Sequence, residues 1–218
     1  MDDESASARR ARMVEQQLAA RGIADARVLA AMRALPRHVF VSPDQAELAY
    51  QDRALPLGEG QTLSQPFVVA LMLEAARLAG PERVLEVGAG SGYVAALLSR
   101  LAREVYAIEL DPELAERARR RLAELGCANV ELRAGDGARG WPERAPFDAI
   151  LVSAAMERLP EALAAQLAVG GRLVAPLGTP RGDQSLVRLT KTGGDSLARE
   201  ELCVVQFVPL VAPRPASR

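Results

Sequence analysis

Two acidic residues and a glycine-rich turn are the part of this chain whose types and spacing best suit ligand chemistry. The stretch Val84–Tyr93 reads VLEVGAGSGY, with Glu86 ahead of a G-x-G-x-G turn, and Glu109 ends the next apolar run. Glycine adopts positive φ angles and has no Cβ, so a ligand can approach the backbone closely. The turn lacks Gly-Lys-Ser/Thr, which excludes a triphosphate-binding loop. Its carboxylate would repel a pyrophosphate but attract an ammonium group.

The spacing between the turn and the second carboxylate indicates a nucleoside. Glu109 follows Gly88 by 21 positions (109 − 88), which is close to the spacing at which an acidic residue meets ribose hydroxyls in nucleotide-binding folds. A ribose at one end and a free amino acid at the other describe S-adenosyl-L-methionine. The glycines alone leave a plain tight turn as an alternative, whereas the two carboxylates favour cofactor binding. The residues expected to bind this cofactor are Glu86, Gly88, Ala89, Gly90, Ser91, Gly92, Glu109, Leu110, Asp136 and Gly137.

Three further positions follow predicted strands, where parallel sheets bind their ligands. Asp136 lies between two glycines and can accept a hydrogen bond from the adenine amine, although an Asx turn is the alternative role. Ser153 and Ala154 follow the next strand, and their small side chains leave room for a methyl acceptor.

The stretch QTLSQP, Gln61–Pro66, precedes the glycine turn and predicts the start of a helix over Phe67–Leu78. Ser64 is expected to be the N-cap of this helix and Pro66 to lie in its first turn. Because backbone N–H groups are exposed at a helix start, Thr62 and Ser64 are also candidates for contact with an anion or carboxylate. Capping and substrate binding remain alternative roles for the Ser64 hydroxyl.

From Arg83 onward, apolar runs alternate with helical patterns. The predicted strands are Val84–Val87, Val105–Ile108, Val130–Arg133, Phe147–Val152, Arg172–Pro176, Gln184–Lys191 and Glu201–Val208. The predicted helices are Gly92–Leu101 with Ser91 as N-cap, Glu113–Leu125 and Glu161–Leu167. This alternation predicts a mostly parallel sheet covered on both faces, and Gly193-Gly194 predicts a hairpin at one edge. The fold class is therefore α/β, a Rossmann-like methyltransferase fold with a seven-stranded, mostly parallel sheet, helices on both faces and an N-terminal helical cap.

The residues before the glycine turn have no place in that sheet and are expected to cap the cofactor. Helical patterns cover Ala6–Ala20, ended by Gly22, and Asp25–Ala34, with Asp25 as N-cap. The segment Pro36–Gly60 is irregular, and a loop of that length in a compact domain is usually functional or disordered. We expect one domain with a cap and substrate loop over 1–80, a cofactor core over 81–178 and C-terminal strands over 179–218.

The composition argues against several classes of function. The 218 residues carry a net charge of −1, so no basic nucleic-acid surface is indicated. No run approaches the ~20 apolar residues of a membrane span, and the N-terminus has no hydrophobic signal core. His38 is interpreted as a packed loop residue, and Cys127 and Cys203 show no metal-binding spacing. We predict a cytoplasmic monomer with reduced thiols, no metal, and no nucleic-acid or membrane partner.

With these stretches in place, the chain resembles the protein-L-isoaspartate O-methyltransferases from about Met13 to Val211. The most specific motifs are PRHVFV, LAYQDRALPLGEGQTLSQP and LEVGAGSGY, in that order. GDG, FDAILVSAA, GGRLVAPLG and the terminal FVPL also fit. The glycine turn is common to many methyltransferases, whereas the block that contains GQTLSQP is far more specific.

The resemblance implies a cytoplasmic repair enzyme that uses S-adenosyl-L-methionine to methylate the α-carboxylate of isoaspartyl residues in damaged proteins and peptides. It implies that Ser64 is the active-site serine, Glu109 the ribose-binding acid and Gly88–Gly92 the loop around the methionine end. It also implies an unusual order for the last two strands. The residues expected to bind the substrate are Thr62, Leu63, Ser64, Gln65, Ser153 and Ala154.

The chain departs from the family pattern at two places. Where the family commonly has T-A-A-A-P, residues 153–157 read SAAME, and the lost proline is expected to leave the following loop less constrained. Glu59 stands where an aromatic residue is frequent and adds negative charge near the expected carboxylate site. Both changes concern peptide preference and leave the cofactor motif intact.

Three other functions fit parts of this pattern. A methyltransferase for another carboxylate, a small molecule or RNA would share the cofactor residues, but RNA would require a basic face. A non-catalytic S-adenosylmethionine-binding module would keep the fold without turnover. A nicotinamide dehydrogenase is disfavoured by Glu86 in the turn. For the carboxyl methyltransferase, the substrate carboxylate is already ionised at neutral pH, so Ser64 is interpreted as an orienting hydrogen-bond donor and not as a nucleophile.

Overall fold

The chain forms a two-stranded hairpin and a seven-stranded sheet, described over residues 3–58, 60–179 and 182–211 of a computed structural model. The hairpin pairs β1 (Leu55–Gly58) with β2 (Gln61–Leu63). The seven strands of the sheet are β3 (Arg83–Val87), β4 (Glu104–Glu109), β5 (Val130–Ala134), β6 (Phe147–Val152), β7 (Leu167–Gly178), β8 (Gln184–Gly193) and β9 (Ser196–Val205). Their order across the sheet is β5-β4-β3-β6-β7-β8-β9.

The sheet is parallel at its centre and antiparallel at one edge, which confirms the predicted fold class. β3 pairs in parallel with β4 and β6, whereas β8 runs antiparallel to β7 and β9. The last two strands lie in chain order: β8 pairs with both β7 and β9, and β9 forms the edge. Gly193 and Gly194, with φ angles of 153° and 52°, form the tight turn between β8 and β9. The predicted bounds of β9, 201–208, are wrong: the strand is largely exposed, so it lacks the apolar alternation that marks a half-buried strand.

The N-terminal segment is helical throughout but changes its winding. Helix α1 (Asp3–Arg12) continues into a π-helix over Met13–Leu18 and a 3-10 turn over Ala19–Arg21. The predicted helical segment over Ala6–Ala20 is therefore confirmed, although its sequence did not indicate the change of winding. The wider π-turn keeps three apolar side chains of this stretch buried at an irregular spacing. Gly22 ends the segment with a φ of 98°, as predicted.

Helix α2 (Ala26–Ala34) confirms the predicted second helix. The Asp25 carboxylate caps it by accepting hydrogen bonds from the backbone N–H groups of Arg27 (2.8 Å) and Val28 (3.2 Å). Such a cap contributes about 1 kcal/mol.

The segment 36–60 contains more regular structure than its sequence indicates. Two 3-10 turns, Arg37–Phe40 and Pro43–Leu48, lead into the β1–β2 hairpin, in which Leu55 pairs with Leu63. The hairpin was not predicted, because its strands are short and interrupted by proline and glycine. Glu59 lies outside the described residues.

The N-cap of helix α3 (Pro66–Ala75) lies one residue after the position that was predicted for it. Gln65 is the N-cap and makes no side-chain capping hydrogen bond, so the prediction that Ser64 caps this helix is wrong. Pro66 occupies the first helical position, as expected, and its fixed φ sets the start of the helix there. The helix ends at Ala75 instead of Leu78, and Arg77 then adopts a φ of 51°.

The remaining helices cover both faces of the sheet; they are α4 (Tyr93–Leu98), α5 (Pro112–Glu124) and α6 (Glu161–Gln166). Val84 packs in a core that also contains buried residues of α3, α4 and α5, whereas Leu85 and Val87 pack in a second core with residues of α6. Because side chains alternate along a strand, Glu86 faces the same side as Val84. Across residues 3–58, 60–179 and 182–211, no helix combines the length and apolar character that a membrane span requires.

Candidate active site

A cleft opens at the carboxyl ends of β3, β4 and β6, the edge at which parallel sheets bind ligands. It contains about 730 Å³ of empty space counted to its open mouth, which is within the usual range for small-molecule sites. The β1–β2 hairpin and residues 208–211 form its other walls. The predicted site residues that line it are Thr62, Leu63, Ser64, Glu86, Gly88, Ala89, Gly90, Ser91, Glu109, Leu110, Gly137, Ser153 and Ala154.

The glycine turn is shaped by hydrogen bonds to the end of β4. The N–H groups of Gly88 and Ala89 donate to the carbonyl of Ile108, at 2.9 and 3.1 Å. Gly88 has a φ of 83° and Gly90 a φ of 56°, and residues with a Cβ rarely adopt such angles. Gly92 does not line the cleft: a Cβ there would lie 3.3 Å from the Cβ of Ala118, so this glycine lets α5 pack closely.

Gly92, and not Ser91, is the N-cap of α4. The prediction of Ser91 as a helix cap is therefore wrong, because the chain is still in a left-handed conformation at Gly92 (φ 87°) and the helix begins only at Tyr93. The hydroxyl oxygen of Ser91 is buried in the cleft and has no hydrogen-bond partner among the described residues. This hydroxyl is thus available to a ligand.

Glu109 lies at the end of β4 and is almost completely buried. Its Oε2 accepts a hydrogen bond from the N–H of Gly90 at 2.7 Å, and its Oε1 accepts one from the N–H of Asp111 at 3.1 Å. Each carboxylate oxygen has two lone pairs, so both oxygens can accept further hydrogen bonds from a ligand in the cleft. The arrangement suits a pair of neighbouring hydroxyls.

Glu86 is a fully buried carboxylate on the wall of the cleft, and neither of its oxygens has a hydrogen-bond partner among the described residues. Burial, and secondarily the negative charge of Glu109, raises the pKa of the Glu86 carboxyl well above its usual 4.5. The nearby backbone N–H of Ala95, which does not meet hydrogen-bond geometry, opposes this only in part. A buried carboxylate without a partner is costly. A cationic ligand group in the cleft would supply that partner.

The first four residues of the QTLSQP segment, 61–64, line the cleft. Ser64 is partly buried and its hydroxyl makes no hydrogen bond to the described part of the chain, while its carbonyl accepts one from Arg37 at 2.7 Å. Gln65 does not line the cleft: its side-chain amide donates to the carbonyl of Asp52 at 3.1 Å.

Asp136 forms the turn that was its alternative role. Its carboxylate accepts a hydrogen bond from the N–H of Ala138 at 3.0 Å and caps a 3-10 turn over Gly137–Arg139, and it does not line the cleft. Gly137 does line it, and a Cβ at this position would lie only 2.4 Å from Cγ1 of Val87. This glycine is required by the close approach of the turn to β3.

The far wall of the cleft includes residues that the sequence had not assigned to a site. Tyr93 and Leu57 line it, as do residues 208–211. Ala155 fixes that last segment, because its N–H donates to the carbonyl of Val208 at 2.8 Å and its carbonyl accepts from Leu210 at 2.7 Å. The motif FVPL contained the signal for this wall.

The substituted SAAME loop is held in part by its methionine. Met156 is buried, its N–H donates to the carbonyl of Pro176 at 3.2 Å, and its carbonyl accepts from Gly178 at 3.0 Å. Glu157, which replaces the proline, is exposed. His38 packs as interpreted, with its Nδ1 at 2.7 Å from the Tyr50 hydroxyl.

The mostly parallel seven-stranded sheet, with its cleft at the carboxyl ends of β3, β4 and β6, is the Rossmann-like fold of an S-adenosyl-L-methionine-dependent methyltransferase. More narrowly, the chain belongs to the protein-L-isoaspartate(D-aspartate) O-methyltransferase family, because the sequence model of that family matches residues 8–214. It is therefore a protein carboxyl O-methyltransferase that depends on S-adenosyl-L-methionine.

Named relatives and solved structures agree with this assignment. The chain is 54% identical over 210 residues to protein-L-isoaspartate O-methyltransferase 1 of Rhodopseudomonas palustris strain HaA2, covering 96% of this chain and 86% of that protein. It is 58% identical over 202 residues to protein-L-isoaspartate O-methyltransferase of Methylorubrum extorquens strain PA1, covering 93% and 88% of the two chains.

Two solved structures share the fold over nearly the whole chain. A protein-L-isoaspartate O-methyltransferase is 29% identical with a TM-score of 0.81, covering 91% of this chain but 65% of that longer one. A putative protein-L-isoaspartate O-methyltransferase from Plasmodium falciparum, in complex with S-adenosyl-L-homocysteine, is 26% identical with a TM-score of 0.80, covering 93% and 98% of the two chains.

Proposed function

We propose that this enzyme transfers a methyl group from S-adenosyl-L-methionine to the α-carboxylate of isoaspartyl residues in damaged proteins and peptides, and that Ser64 orients this carboxylate. The observation that carries the proposal is the content of one cleft. Ser64, whose hydroxyl makes no hydrogen bond to the described residues, lines the same cleft as Glu86 and Glu109. The hydroxyl donor of Ser64 suits an anionic acceptor, and the two carboxylates suit a cationic cofactor.

The cleft has the polar groups that S-adenosyl-L-methionine needs. Glu86 would bind the ammonium group of the methionine end, since its buried carboxylate otherwise lacks a partner. Glu109 would accept hydrogen bonds from the two ribose hydroxyls, and Ser91 would donate its buried hydroxyl to a polar atom of the cofactor. When bound, the cofactor supplies an electrophilic sulfonium methyl group. The Plasmodium structure with S-adenosyl-L-homocysteine supports this use of the fold.

Carboxylate methylation needs no general base in the cleft. An α-carboxyl group has a reference pKa of about 3.3–3.7, so at neutral pH it is already the ionised nucleophile. The enzyme must place one of its oxygens in line with the methyl group and remove water, because solvation of the carboxylate slows the step. A single donor such as Ser64 can fix the direction of the carboxylate while leaving the attacking oxygen free.

The product methyl ester leads to repair without further help from the chain. Its methoxide, which leaves as methanol, is a better leaving group than the oxygen of a carboxylate. Attack by the neighbouring backbone nitrogen on the ester carbonyl expels methanol and forms a succinimide, and water then opens this ring partly to normal aspartate. The damaged main-chain linkage is reversed in that fraction.

Finer properties of the enzyme stay predictions from the sequence. These are a monomeric state, a cytoplasmic location and the lack of a nucleic-acid or membrane partner. The net charge of −1 and the apolar pattern support only the last of them. The role of Ser153 and Ala154 beside the acceptor rests on their place in the cleft wall. Glu59 and its effect on peptide preference also stay a prediction.

The direct test compares two synthetic peptides that differ only in one linkage. With methyl-labelled S-adenosyl-L-methionine, the enzyme is expected to label the isoaspartyl peptide and to leave the normal aspartyl peptide unlabelled, with the label released as methanol by mild base. Equal labelling of both peptides, or labelling of neither, would contradict the proposed acceptor. Tight cofactor binding without any labelling would instead identify a non-catalytic module.

A further inference from the structure

Arg37 is a buried cation for which the reaction so far has no use. It lies in the 3-10 turn Arg37–Phe40, and none of its surface is exposed. In the described part of the chain no carboxylate lies within ion-pair distance of its guanidinium, and its Nη1 has no hydrogen-bond partner. Burying an unpaired charge is costly, so a side chain of this kind requires an explanation.

The partners of Arg37 are neutral groups from three parts of the fold. Its Nε donates to the carbonyl of Ala49 at 2.7 Å, and its Nη2 donates to the carbonyl of Ser64 at 2.7 Å. The guanidinium carbon lies 4.8 Å from the centre of the Tyr93 ring, which lines the cleft. One rigid, planar group thus connects the cap to Ser64 and to the cleft wall.

The charge of this group also has a place in the electrostatics of the site. The cleft already contains the carboxylates of Glu86 and Glu109, and the proposed acceptor brings in a third negative charge. The cationic cofactor offsets part of that repulsion. Arg37 is the buried cation that contacts the segment of the acceptor site, through the carbonyl of Ser64, and a hydrogen bond from a charged donor is about twice as strong as a neutral one.

We propose that Arg37 is a positioning residue that holds Ser64 in place for the isoaspartyl carboxylate and supplies positive charge behind it. The inference rests on the proposed function of Ser64. Arg37 acts through the carbonyl of Ser64 and does not itself contact the substrate. Loss of the guanidinium would free the peptide between residues 64 and 65 and move the hydroxyl away from the acceptor.

A double-mutant cycle tests this coupling. The wild type, Arg37→Lys, Ser64→Ala and the double variant are assayed for kcat/KM toward an isoaspartyl peptide at saturating cofactor. Arg37→Lys is expected to lower kcat/KM about tenfold in the wild-type background and by less than about twofold in the Ser64→Ala background, because the group it positions is then absent. An equal factor in both backgrounds would overturn the proposal, since it would show that Arg37 does not act through Ser64.

A matched control separates this role from general stability. Arg172, on β7, also donates to backbone carbonyls, from Nε to Ala76 at 2.9 Å, from Nη2 to Arg77 at 2.7 Å and from Nη1 to Gly170 at 3.3 Å, but none of these partners lines the cleft. Arg172→Lys is expected to leave kcat/KM within about twofold of the wild type. The affinity for S-adenosyl-L-homocysteine, measured by calorimetry, is expected to stay within about twofold in both lysine variants, and a large loss in Arg37→Lys would contradict a role at the acceptor.

A second variant distinguishes the effect of losing the positive charge from the effect of a less stable fold. Arg37→Gln retains one donor for the carbonyl of Ser64 but no charge, and we expect a larger rise in KM for the peptide than with lysine. Activities are compared per folded molecule, at a temperature where circular dichroism finds all variants folded. Unchanged activity per folded molecule in both variants would reduce Arg37 to a structural residue. Wild-type enzyme that fails to distinguish isoaspartyl from aspartyl peptide would reject the proposed function itself, which is a different result.

Discussion

Glu86 and Glu109 lie on the neighbouring strands β3 and β4 and line one cleft, but only one of the two carboxylates has partners. Glu109 accepts hydrogen bonds from the N–H groups of Gly90 and Asp111, whereas both oxygens of Glu86 are without a partner among the described residues. The pair is therefore asymmetric in the cofactor-free protein. Glu109 holds the glycine turn through the N–H of Gly90, whereas the oxygens of Glu86 can accept a cationic group.

This asymmetry predicts how stability depends on pH. Because burial and Glu109 raise the pKa of Glu86 above its unfolded value of 4.5, the folded protein binds an extra proton between those two values. The stabilising contribution is fully present below pH 4.5 and is lost as the pH rises through the raised pKa. Glu86→Gln should remove this loss and raise the stability of the cofactor-free protein at about pH 9 by about 1–3 kcal/mol, measured by chemical denaturation.

The same variant should bind the cofactor more weakly, since glutamine offers no negative charge to an ammonium group. We expect at least a tenfold loss of S-adenosyl-L-methionine affinity by calorimetry, or about 1.4 kcal/mol.

Glu104→Gln is the control for the dependence of stability on pH. The hydrogen bond from Arg83 lowers the pKa of Glu104, so the contribution of this carboxylate to stability has the opposite sign and is lost as the pH falls. A cofactor-free Glu86→Gln protein that is less stable than wild type at high pH would contradict the argument.

A second prediction concerns the ribose. Glu109→Ala should weaken binding of S-adenosyl-L-homocysteine by about 1–3 kcal/mol, because it removes the acceptors proposed for both hydroxyls. Asp111→Ala is the control in the same loop between β4 and α5. It removes the carboxylate that caps α5 by accepting hydrogen bonds from the N–H groups of Glu113 and Leu114. That control should cost about 1 kcal/mol of stability but leave the affinity nearly unchanged. Equal affinity losses in the two variants would mean that Glu109 serves only the turn.

The central parallel strands β3, β4 and β6 could be predicted because they are buried on both faces. The run Phe147–Val152, for example, is apolar at nearly every position and its bounds agree with the structure. The placement of both carboxylates beside one cleft could be predicted because their spacing follows from the geometry of a strand, a turn and a helix. The residues of these motifs are local in sequence, which is why a pattern can identify them.

The rest depends on contacts between distant positions or on details of the backbone. Ala155 pairs with the chain near Val208, 53 positions away (208 − 155), and no local pattern reports that contact. Arg37 was passed over because its carbonyl partners, at Ala49 and Ser64, carry no sequence signal. The caps at Ser64 and Ser91 were wrong because both residues favour caps, while Pro66 and Gly92 decide where each helix begins.

A third prediction uses a pair of glycines that flank Asp136. A Cβ at Gly137 would lie 2.4 Å from Cγ1 of Val87, whereas a Cβ at Gly135 would meet Cγ2 of Ile108 at an ordinary 3.8 Å. Gly137→Ala should therefore destabilise the fold by about 1–3 kcal/mol. It should also weaken cofactor binding, since the turn that must shift lines the cleft. Gly135→Ala should change stability by less than about 1 kcal/mol. Equal thermal denaturation curves for the two variants would show that β3 yields easily.

The cap should respond to the cofactor. The β1–β2 hairpin lines the cleft through Leu57 and Leu63, next to the glycine turn, so a bound ligand would hold it in place. Segments of this kind commonly open on the microsecond to millisecond scale. Hydrogen exchange at residues 40–58 should slow when S-adenosyl-L-homocysteine is added, while exchange in β9, at the far edge of the sheet, should not change. Identical exchange in the hairpin with and without ligand would contradict a role as a lid.

The last prediction concerns the hydroxyl of Ser64. Because Gln65 and not Ser64 is the N-cap of α3, Ser64→Ala should leave the melting temperature nearly unchanged. Turnover of the isoaspartyl peptide should nevertheless fall by about a hundredfold, or about 2.7 kcal/mol of transition-state stabilisation, with little change in cofactor affinity. Ser64→Thr keeps a hydroxyl and should retain some activity, and Ser64→Cys should retain less because a thiol is a weak donor. If Ser64 were a covalent nucleophile, the cysteine variant would instead be active and a methylated enzyme could be trapped by mass spectrometry. Near-normal turnover in Ser64→Ala would remove this hydroxyl from the reaction.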